Sequence, residues 1–288
     1  MPMSRTLCAL ALVAACATGG RVVSAGAPAD APRQNRLIDK LARGVPALGT
    51  VNRRAPDSSD TVRALADTDL DFVVFDVEGG VKDMTQFAAS LAALAESAAR
   101  RPARGPIAPL VRIPKTSNGS PEDTVRRFIG LGARGVVFGH IDTPAAAARA
   151  VAAVVDALPA GRRTDGAGAS RERGTWPLAR ESDIVAVMMI ESPEAVANAA
   201  AIAAVPGVTA LFFGPGDFSR SIGQPARLPD LHPEAEAAVQ AMLAACQATR
   251  VVCGYPAAAR DAAALAAEAQ RRLQQGFRFV TQVNLTEF

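Results

Sequence analysis

From Asn35 onward the chain alternates two textures. Apolar runs of five to seven residues end in Gly, Pro or a charge, and each is followed by ten to eighteen residues with helical spacing. The apolar runs predict strands at Val45–Val51, Asp71–Val77, Ala108–Ile113, Gly135–Gly139, Ile184–Ile190, Thr209–Phe213, Arg250–Tyr255 and Phe277–Gln282. They are continuously apolar instead of alternating, as parallel strands buried on both faces require. The spaced segments predict helices at Ser59–Ala66, Asp83–Arg100, Pro121–Leu131, Pro144–Leu158, Pro193–Ala204, Pro233–Thr249 and Ala257–Gln275. Ser120-Pro121-Glu122-Asp123 and Ser192-Pro193-Glu194 combine a starter, a Pro and early acids, which suits a helix N-terminus.

Eight strands and seven helices in roughly 250 residues is the arithmetic of a single (β/α)8 TIM-type barrel. A doubly wound α/β sheet is the competing architecture, but no Gly-rich phosphate fingerprint follows the first strand. No repeat and no second domain is visible, so residues 28–288 are assigned to the barrel. One stretch breaks the rhythm. Residues 159–180 (PAGRRTDGAGASRERGTWPLAR) form a Gly- and Arg-rich insertion. It reads as a solvated loop before the fifth strand, with a lid or an oligomer contact as the functional alternative.

Residues 1–27 read as an export signal. Arg5 gives a short basic start, and Leu7 to Ala17 is an unbroken small and apolar run. That run is too short to span a membrane as a helix and fits a secretory core. Two exits compete. Val13-Ala14-Ala15-Cys16 resembles a lipobox, which would put a lipid on Cys16, and Ala25-Gly26-Ala27 or Val23-Ser24-Ala25 resembles a small-residue cleavage site. The expectation is an exported protein, periplasmic or anchored as a lipoprotein. The opposing reading is a mis-assigned start, with a cytoplasmic protein beginning near Asn35.

Composition narrows the function. The 288 residues carry 31 basic and 28 acidic side chains, one Trp and one Tyr, which argues against a nucleic-acid partner. Removing residues 1–27 takes away Arg5 and Arg21 and no acid, leaving 29 against 28 and no basic field for a membrane surface. His140 and His232 are the two histidines, so a His-rich metal site is excluded. His232, ahead of Pro233 and Glu234, reads as a surface or capping residue. Cys246 and Cys253 lie at a helix end and in the next strand. Without a framework pattern they read as two buried thiols, with a disulfide as the alternative.

Barrel chemistry gathers at the C-terminal ends of strands. The polar residues there are Asp76 and Glu78, Arg112, His140 and Asp142, Glu191, and Gly214-Pro215-Gly216-Asp217. Acids clustered on neighbouring strand ends repel unless something positive lies between them. A hard divalent ion held by Glu191 and Asp217 answers that, and Mg²⁺ or Mn²⁺ suits oxygen ligands, with Co²⁺ a third candidate. The Gly-Pro-Gly turn frees backbone N–H groups for an anion. Arg112 is placed to hold a carboxylate or enolate oxygen, or to pair with Asp76 or Glu78. Asp217 could instead cap the segment from Phe218 onward.

These positions also carry a family resemblance. The chain resembles the HpcH/HpaI aldolases, the metal-dependent class II pyruvate aldolases of the phosphoenolpyruvate/pyruvate barrel group, from about Asn35 to Gln282. The motifs are Asp71-Phe72-Val73-Val74-Phe75-Asp76-Val77-Glu78, Leu110-Val111-Arg112-Ile113-Pro114 and Gly132-Ala133-Arg134-Gly135-Val136-Val137. Ile190-Glu191-Ser192-Pro193-Glu194-Ala195-Val196, Val205-Pro206-Gly207-Val208 and Phe213-Gly214-Pro215-Gly216-Asp217-Phe218-Ser219 complete them. The resemblance implies Glu191 and Asp217 as metal carboxylates, and the backbone around Gly216 and Asp217, with Gly214 and Pro215, as the seat of the substrate carboxylate. Arg112 would stabilise an enolate oxygen. Asp76, Glu78 and His140 join the catalytic candidates from their places at the strand ends. The resemblance implies a carbon–carbon lyase that cleaves a 2-keto-4-hydroxy acid to pyruvate and an aldehyde, as a homo-oligomer.

The sequence departs from the family pattern in several places. Gly79 stands where the family has a His that transfers protons, leaving His140 or a metal-bound water for that work. Met189 replaces a common Gln, and Gln282-Val283-Asn284 replaces a Gly-Ser-Asp. The chain stops at Phe288, where the family continues into a helix used in subunit packing. The competing functional reading is therefore a barrel that binds metal and a small keto acid or dicarboxylate without turnover.

Overall fold

The computed structural model describes residues 36–52, 62, 65, 68–100, 106–114, 121–158 and 184–285. The chain divides into Met1–Pro32, which lies outside the described residues, and Arg33–Phe288. The insertion at 159–180 and the export segment also fall outside them.

The second unit is a closed barrel of eight parallel strands in chain order. The strands are β1 (Ala47–Asn52), β2 (Phe72–Asp76), β3 (Ala108–Arg112), β4 (Gly135–Phe138), β5 (Val185–Ile190), β6 (Ala210–Phe213), β7 (Val252–Ala259) and β8 (Phe279–Asn284). Pairing of β8 with β1 closes the circle. The helices are α1 (Arg36–Ala42), α2 (Met84–Arg100), α3 (Pro121–Gly130), α4 (Pro144–Ala157), α5 (Pro193–Ala197), α6 (Ala199–Ala203), α7 (Pro215–Ser221), α8 (Pro233–Thr249) and α9 (Ala262–Gln275).

Strand side chains alternate between two faces, and the two hydrophobic clusters follow that parity. Val73, Phe75, Val111, Val136, Ala186, Met188, Leu211 and Phe213 face the helices. Phe72, Val74, Ala108, Leu110, Val137, Val187, Met189, Phe212 and Phe279 fill the interior. Both faces are buried, which is why the strands read as continuous apolar runs.

The interior is stoppered at the N-terminal ends of the strands by α1. Leu37, Ile38 and Leu41 join the interior cluster with Ala47, Phe72 and Phe279. Lys40 Nζ donates to Asp71 Oδ2 at 2.7 Å, and the same oxygen accepts the Leu48 N–H at 2.9 Å. The hydrophobic face of α1 and this buried ion pair fix the stopper against β1 and β2.

Several elements differ from the sequence expectation. The pattern at Pro193–Ala204 is two short helices joined at Asn198, whose φ of −92° and ψ of 0° break the α spiral. The expected helix from Ala257 begins at Ala262, capped by Asp261, because β7 runs on to Ala259 beside β8. Arg250, expected to open that strand, is the left-handed cap of α8 with φ 60°. Of Ser59–Ala66 only Val62 and Leu65 are described, both helical. Helices α1 and α7 were not anticipated.

The expected pair of free thiols is corrected. Cys246, in the last turn of α8, and Cys253, on β7, form a disulfide with Cα atoms 5.8 Å apart. The tight turn between helix and strand brings the two Cβ carbons within bridging range. His232 caps α8, accepting the Glu234 N–H at 3.4 Å, as expected of it. Among the described residues no helix is long and apolar enough to cross a membrane.

Candidate active site

Parity decides what stands at the open end of the barrel. Phe72 and Val74 point inward, so Asp76 does too; Ala108 and Leu110 bring Arg112 inward, and Val187 and Met189 bring Glu191. These three occupy the last inward places of β2, β3 and β5. A cavity of about 580 Å³ opens there, lined by Asp76, Glu78, Gly79, Arg112, Glu191, Gly214, Pro215, Gly216, Asp217 and Arg220. Val74, Val137, Met189, Phe212 and Phe279 form its floor.

Arg112 is the hub. Its Nη1 lies 3.4 Å from Asp76 Oδ2, and its Nη2 lies 3.0 Å from Glu78 Oε2, 3.3 Å from Glu191 Oε1 and 3.8 Å from Asp217 Oδ2. One guanidinium, carried by β3, therefore serves four carboxylates from two other strand ends and a helix. Asp76 Oδ1 also accepts the Glu78 N–H at 3.2 Å, so it positions both neighbours. Arg112 does pair with Asp76 and Glu78, as one reading of the sequence expected, and it is shared with Glu191 and Asp217 as well.

Glu191 is 2% exposed. Its Oε2 accepts the His140 N–H at 2.9 Å. His140 adopts φ 55°, a left-handed conformation that His tolerates better than most side chains, and this turn aims its N–H at the carboxyl. The imidazole lies beside the cavity and not in its lining: Nε2 is 3.5 Å from Glu78 Oε1 and Nδ1 is 3.7 Å from Glu191 Oε2. Asp142 belongs to the scaffold. It accepts the Ser192 hydroxyl at 2.5 Å, and its carbonyl accepts from the Asn198 amide at 2.8 Å, locking the loop after β4 to α5.

The Gly214–Asp217 turn is the start of α7. Gly214 is the N-cap and Pro215 the first helical residue. The Phe218 N–H returns to the Gly214 carbonyl, which leaves the Gly216 and Asp217 N–H groups at the unsatisfied helix start. Asp217 lies within the first turn of α7 and is not its cap. A Cβ at Gly214 would lie 2.5 Å from Glu191 Cγ and Oε1, so only glycine lets that carboxyl come so close. Arg220, one turn after Asp217, bonds Asp217 Oδ1 through Nη2 and lines the cavity. The sequence reading missed it; its spacing of three from Asp217 on a helix was the available signal.

The two candidate metal carboxylates titrate apart. Burial pushes Glu191 above its usual range, helped by the negative charge of Asp217, against the opposing pull of Arg112 and His140. Burial also pushes Asp217 up, but the bond and charge of Arg220, then Arg112 and a hydrogen bond with Glu191, bring it below its usual value. Two carboxyl groups that converge on one cation mark a place that a metal ion can take when both are deprotonated. Among the described residues no group of three or more His, Cys, Asp or Glu side chains forms a metal cage. A two-carboxylate donor set suits Mg²⁺, which keeps several waters and rarely has an all-protein cage.

The profile of one protein family, HpcH/HpaI aldolase/citrate lyase, matches residues 55–284. The chain belongs to that family. It is 30% identical over 256 residues to a hydroxypyruvate/pyruvate aldolase of Paraburkholderia phytofirmans, covering 85% of this chain and 90% of the relative. It is 32% identical over 225 residues to a hydroxypyruvate/pyruvate aldolase of Chromohalobacter salexigens, covering 75% and 79%. A crystal structure of an HpcH/HpaI aldolase/citrate lyase family protein from Burkholderia cenocepacia matches with a TM-score of 0.66 and 29% identity, over 87% of this chain and 93% of the other. The family of this barrel is thus one of aldolases and lyases.

Proposed function

We propose that the chain is a carbon–carbon lyase that cleaves a 2-keto-4-hydroxy acid to pyruvate and an aldehyde. The observation that carries this is the convergence of Glu191, Asp217 and Arg112 on one cavity at the open end of the barrel. Glu191 and Asp217 would hold Mg²⁺ or Mn²⁺, which supplies Lewis-acid polarisation of a keto acid when bound. The unsatisfied N–H groups of Gly216 and Asp217 receive the substrate carboxylate, and Gly214 and Pro215 shape its seat.

Cleavage begins with loss of the proton on the 4-hydroxyl. Its O–H pair forms the aldehyde C=O, the C3–C4 bond breaks, and that pair moves toward the C2 oxygen as an enolate. C3 then takes up a proton and pyruvate results. Arg112 faces the C2 oxygen, where the negative charge grows. Glu78 accepts the 4-hydroxyl proton at Oε1, and His140 Nε2, 3.5 Å behind it, holds that carboxylate in place and shares the proton. Asp76 orients both Arg112 and Glu78.

A second reading has its own observation: Gly79 offers no side chain where the family carries its His, so the cavity binds a keto acid without turning it over. Proton exchange separates the two. Pyruvate in D₂O with supplied Mg²⁺ or Mn²⁺ is followed by its methyl signal in NMR, with Glu191→Ala as control. Metal-dependent exchange absent from the control supports the lyase. No exchange with any metal sinks it and leaves the binding reading.

A further inference from the structure

The open end of the barrel has two unlike halves. The last inward positions of β2, β3 and β5 are Asp76, Arg112 and Glu191. Those of β7, β8 and β1 are Pro256, Ala258, Val283 and Val51, all of which line the same cavity. Ala226, Leu228 and Leu285 continue this second half from neighbouring loops. None of these side chains carries a hydrogen-bonding group, and the backbones of β7 and β8 are paired with each other along Gly254–Ala259.

A pyruvyl head has six non-hydrogen atoms and fills a minor part of a cavity of about 580 Å³, since cavities of roughly 300–1,000 Å³ hold whole drug-sized ligands. The rest of the substrate must lie along the second half. Charge narrows what it is. Among the described residues lining the cavity, the cations are Arg112 and Arg220. Arg112 is engaged by four carboxylates and Arg220 by Asp217. Among the described lining residues, a second anionic group on the substrate meets four acids and an apolar wall, and none of them replaces its lost hydration.

We infer that this cavity selects keto acids whose far end is an uncharged apolar chain, and that Ala226, Leu228, Pro256, Ala258, Val283 and Leu285 form the selecting wall. The inference rests on the keto-acid reading of the site above. It goes beyond that reading by naming the class of aldehyde released: aliphatic or aromatic, neither carboxylated nor polyhydroxylated.

The test is calorimetric titration of the purified full chain, with Mn²⁺ supplied, using 2-oxobutanoate, 2-oxohexanoate, 2-oxooctanoate and the dicarboxylate 2-oxosuberate. Burial of each methylene against the wall is expected to tighten binding about two- to fourfold. 2-Oxosuberate is expected to bind at least tenfold more weakly than 2-oxooctanoate, which has the same chain length. Leu228 is half-buried on a loop, and Leu228→Arg is expected to reverse that ranking; Leu285→Arg serves if the first variant does not fold. A flat response to length, tighter binding of 2-oxosuberate, or no binding of any keto acid overturns the inference. Pyruvate exchange run in parallel keeps the two readings apart. Exchange with a flat length response removes the wall alone, and length-dependent binding without exchange removes the lyase alone.

Discussion

Replacing Arg112 with Met tests whether this guanidinium stands in for a cation. The change keeps an unbranched apolar stem and removes the guanidinium with its charge, leaving Asp76, Glu78, Glu191 and Asp217 facing one another. In the native site the four contacts run from 3.0 to 3.8 Å. At such distances and an effective dielectric near 20, each is worth about 4–6 kcal/mol before desolvation is counted. Desolvation and the part-exposure of Glu78 and Asp217 cancel most of that. Removing one partner of a buried ion pair typically costs about 3–5 kcal/mol. For a chain of this size each kcal/mol moves Tm by roughly 2–4 °C. Arg112→Met should therefore melt about 10 °C below the native protein in metal-free buffer at neutral pH. Added Mg²⁺ or Mn²⁺ should recover more of that loss than it adds to the native protein, because the acids then need the cation more. Differential scanning calorimetry with and without metal reads both effects. A Tm within two degrees or so of the native value, or an equal metal response in both proteins, would refute the reasoning.

Other perturbations reach other parts of the site. A Cβ at Gly79 meets nothing within 4 Å, so Gly79→His should fold normally and raise the rate of pyruvate methyl exchange by about 10²-fold or more, the usual worth of a positioned acid–base group; an unchanged rate by NMR would deny Gly79 that role. Gly214→Ala puts a methyl into Glu191 and should weaken Mn²⁺ binding at least tenfold, consistent with overpacking costs of about 1–3 kcal/mol; equal affinity by calorimetry would mean that Glu191 is not a ligand. Far from the cavity, burial pushes Glu236 up, but two bonds of 2.7 Å to Arg272 and the charges of Arg272 and Arg271 hold it below 4.5. Its stabilising contribution is full above the unfolded value and fades as pH falls through the depressed folded value. Glu236→Gln should therefore flatten the loss of Tm below about pH 4.5, and parallel Tm–pH curves for the two proteins would contradict this.

The acids at strand ends were legible in the sequence because strand, charge and helix follow one another in a fixed rhythm. Asp76, Arg112, Glu191 and Asp217 come together as that rhythm implied. What the rhythm could not reveal was facing. With both strand surfaces apolar, no alternation says which residues look inward, and only barrel closure does. The end of β7 was hidden for a related reason. Pro256-Ala257-Ala258-Ala259 has little strand preference, and its Ala residues favour helix; pairing with Thr281 to Asn284 makes it a strand. The Cys246–Cys253 bridge depends on Cβ geometry across a turn, which spacing alone does not encode. The stopper α1 is too short for a helical period to stand out.

That stopper divides the molecule into a closed pole and a working pole. Helix α1 begins at Arg36 on the closed pole, where Leu37, Ile38 and Leu41 seal the interior. Leu285, just past β8, lines the cavity at the other. A purification tag, surface linkage or carrier domain added ahead of α1 is thus attached away from the chemistry and leaves substrate traffic free. The same addition behind Leu285 sits at the doorway. Immobilisation of this barrel, on a resin or on a cell, is best done from its N-terminal side.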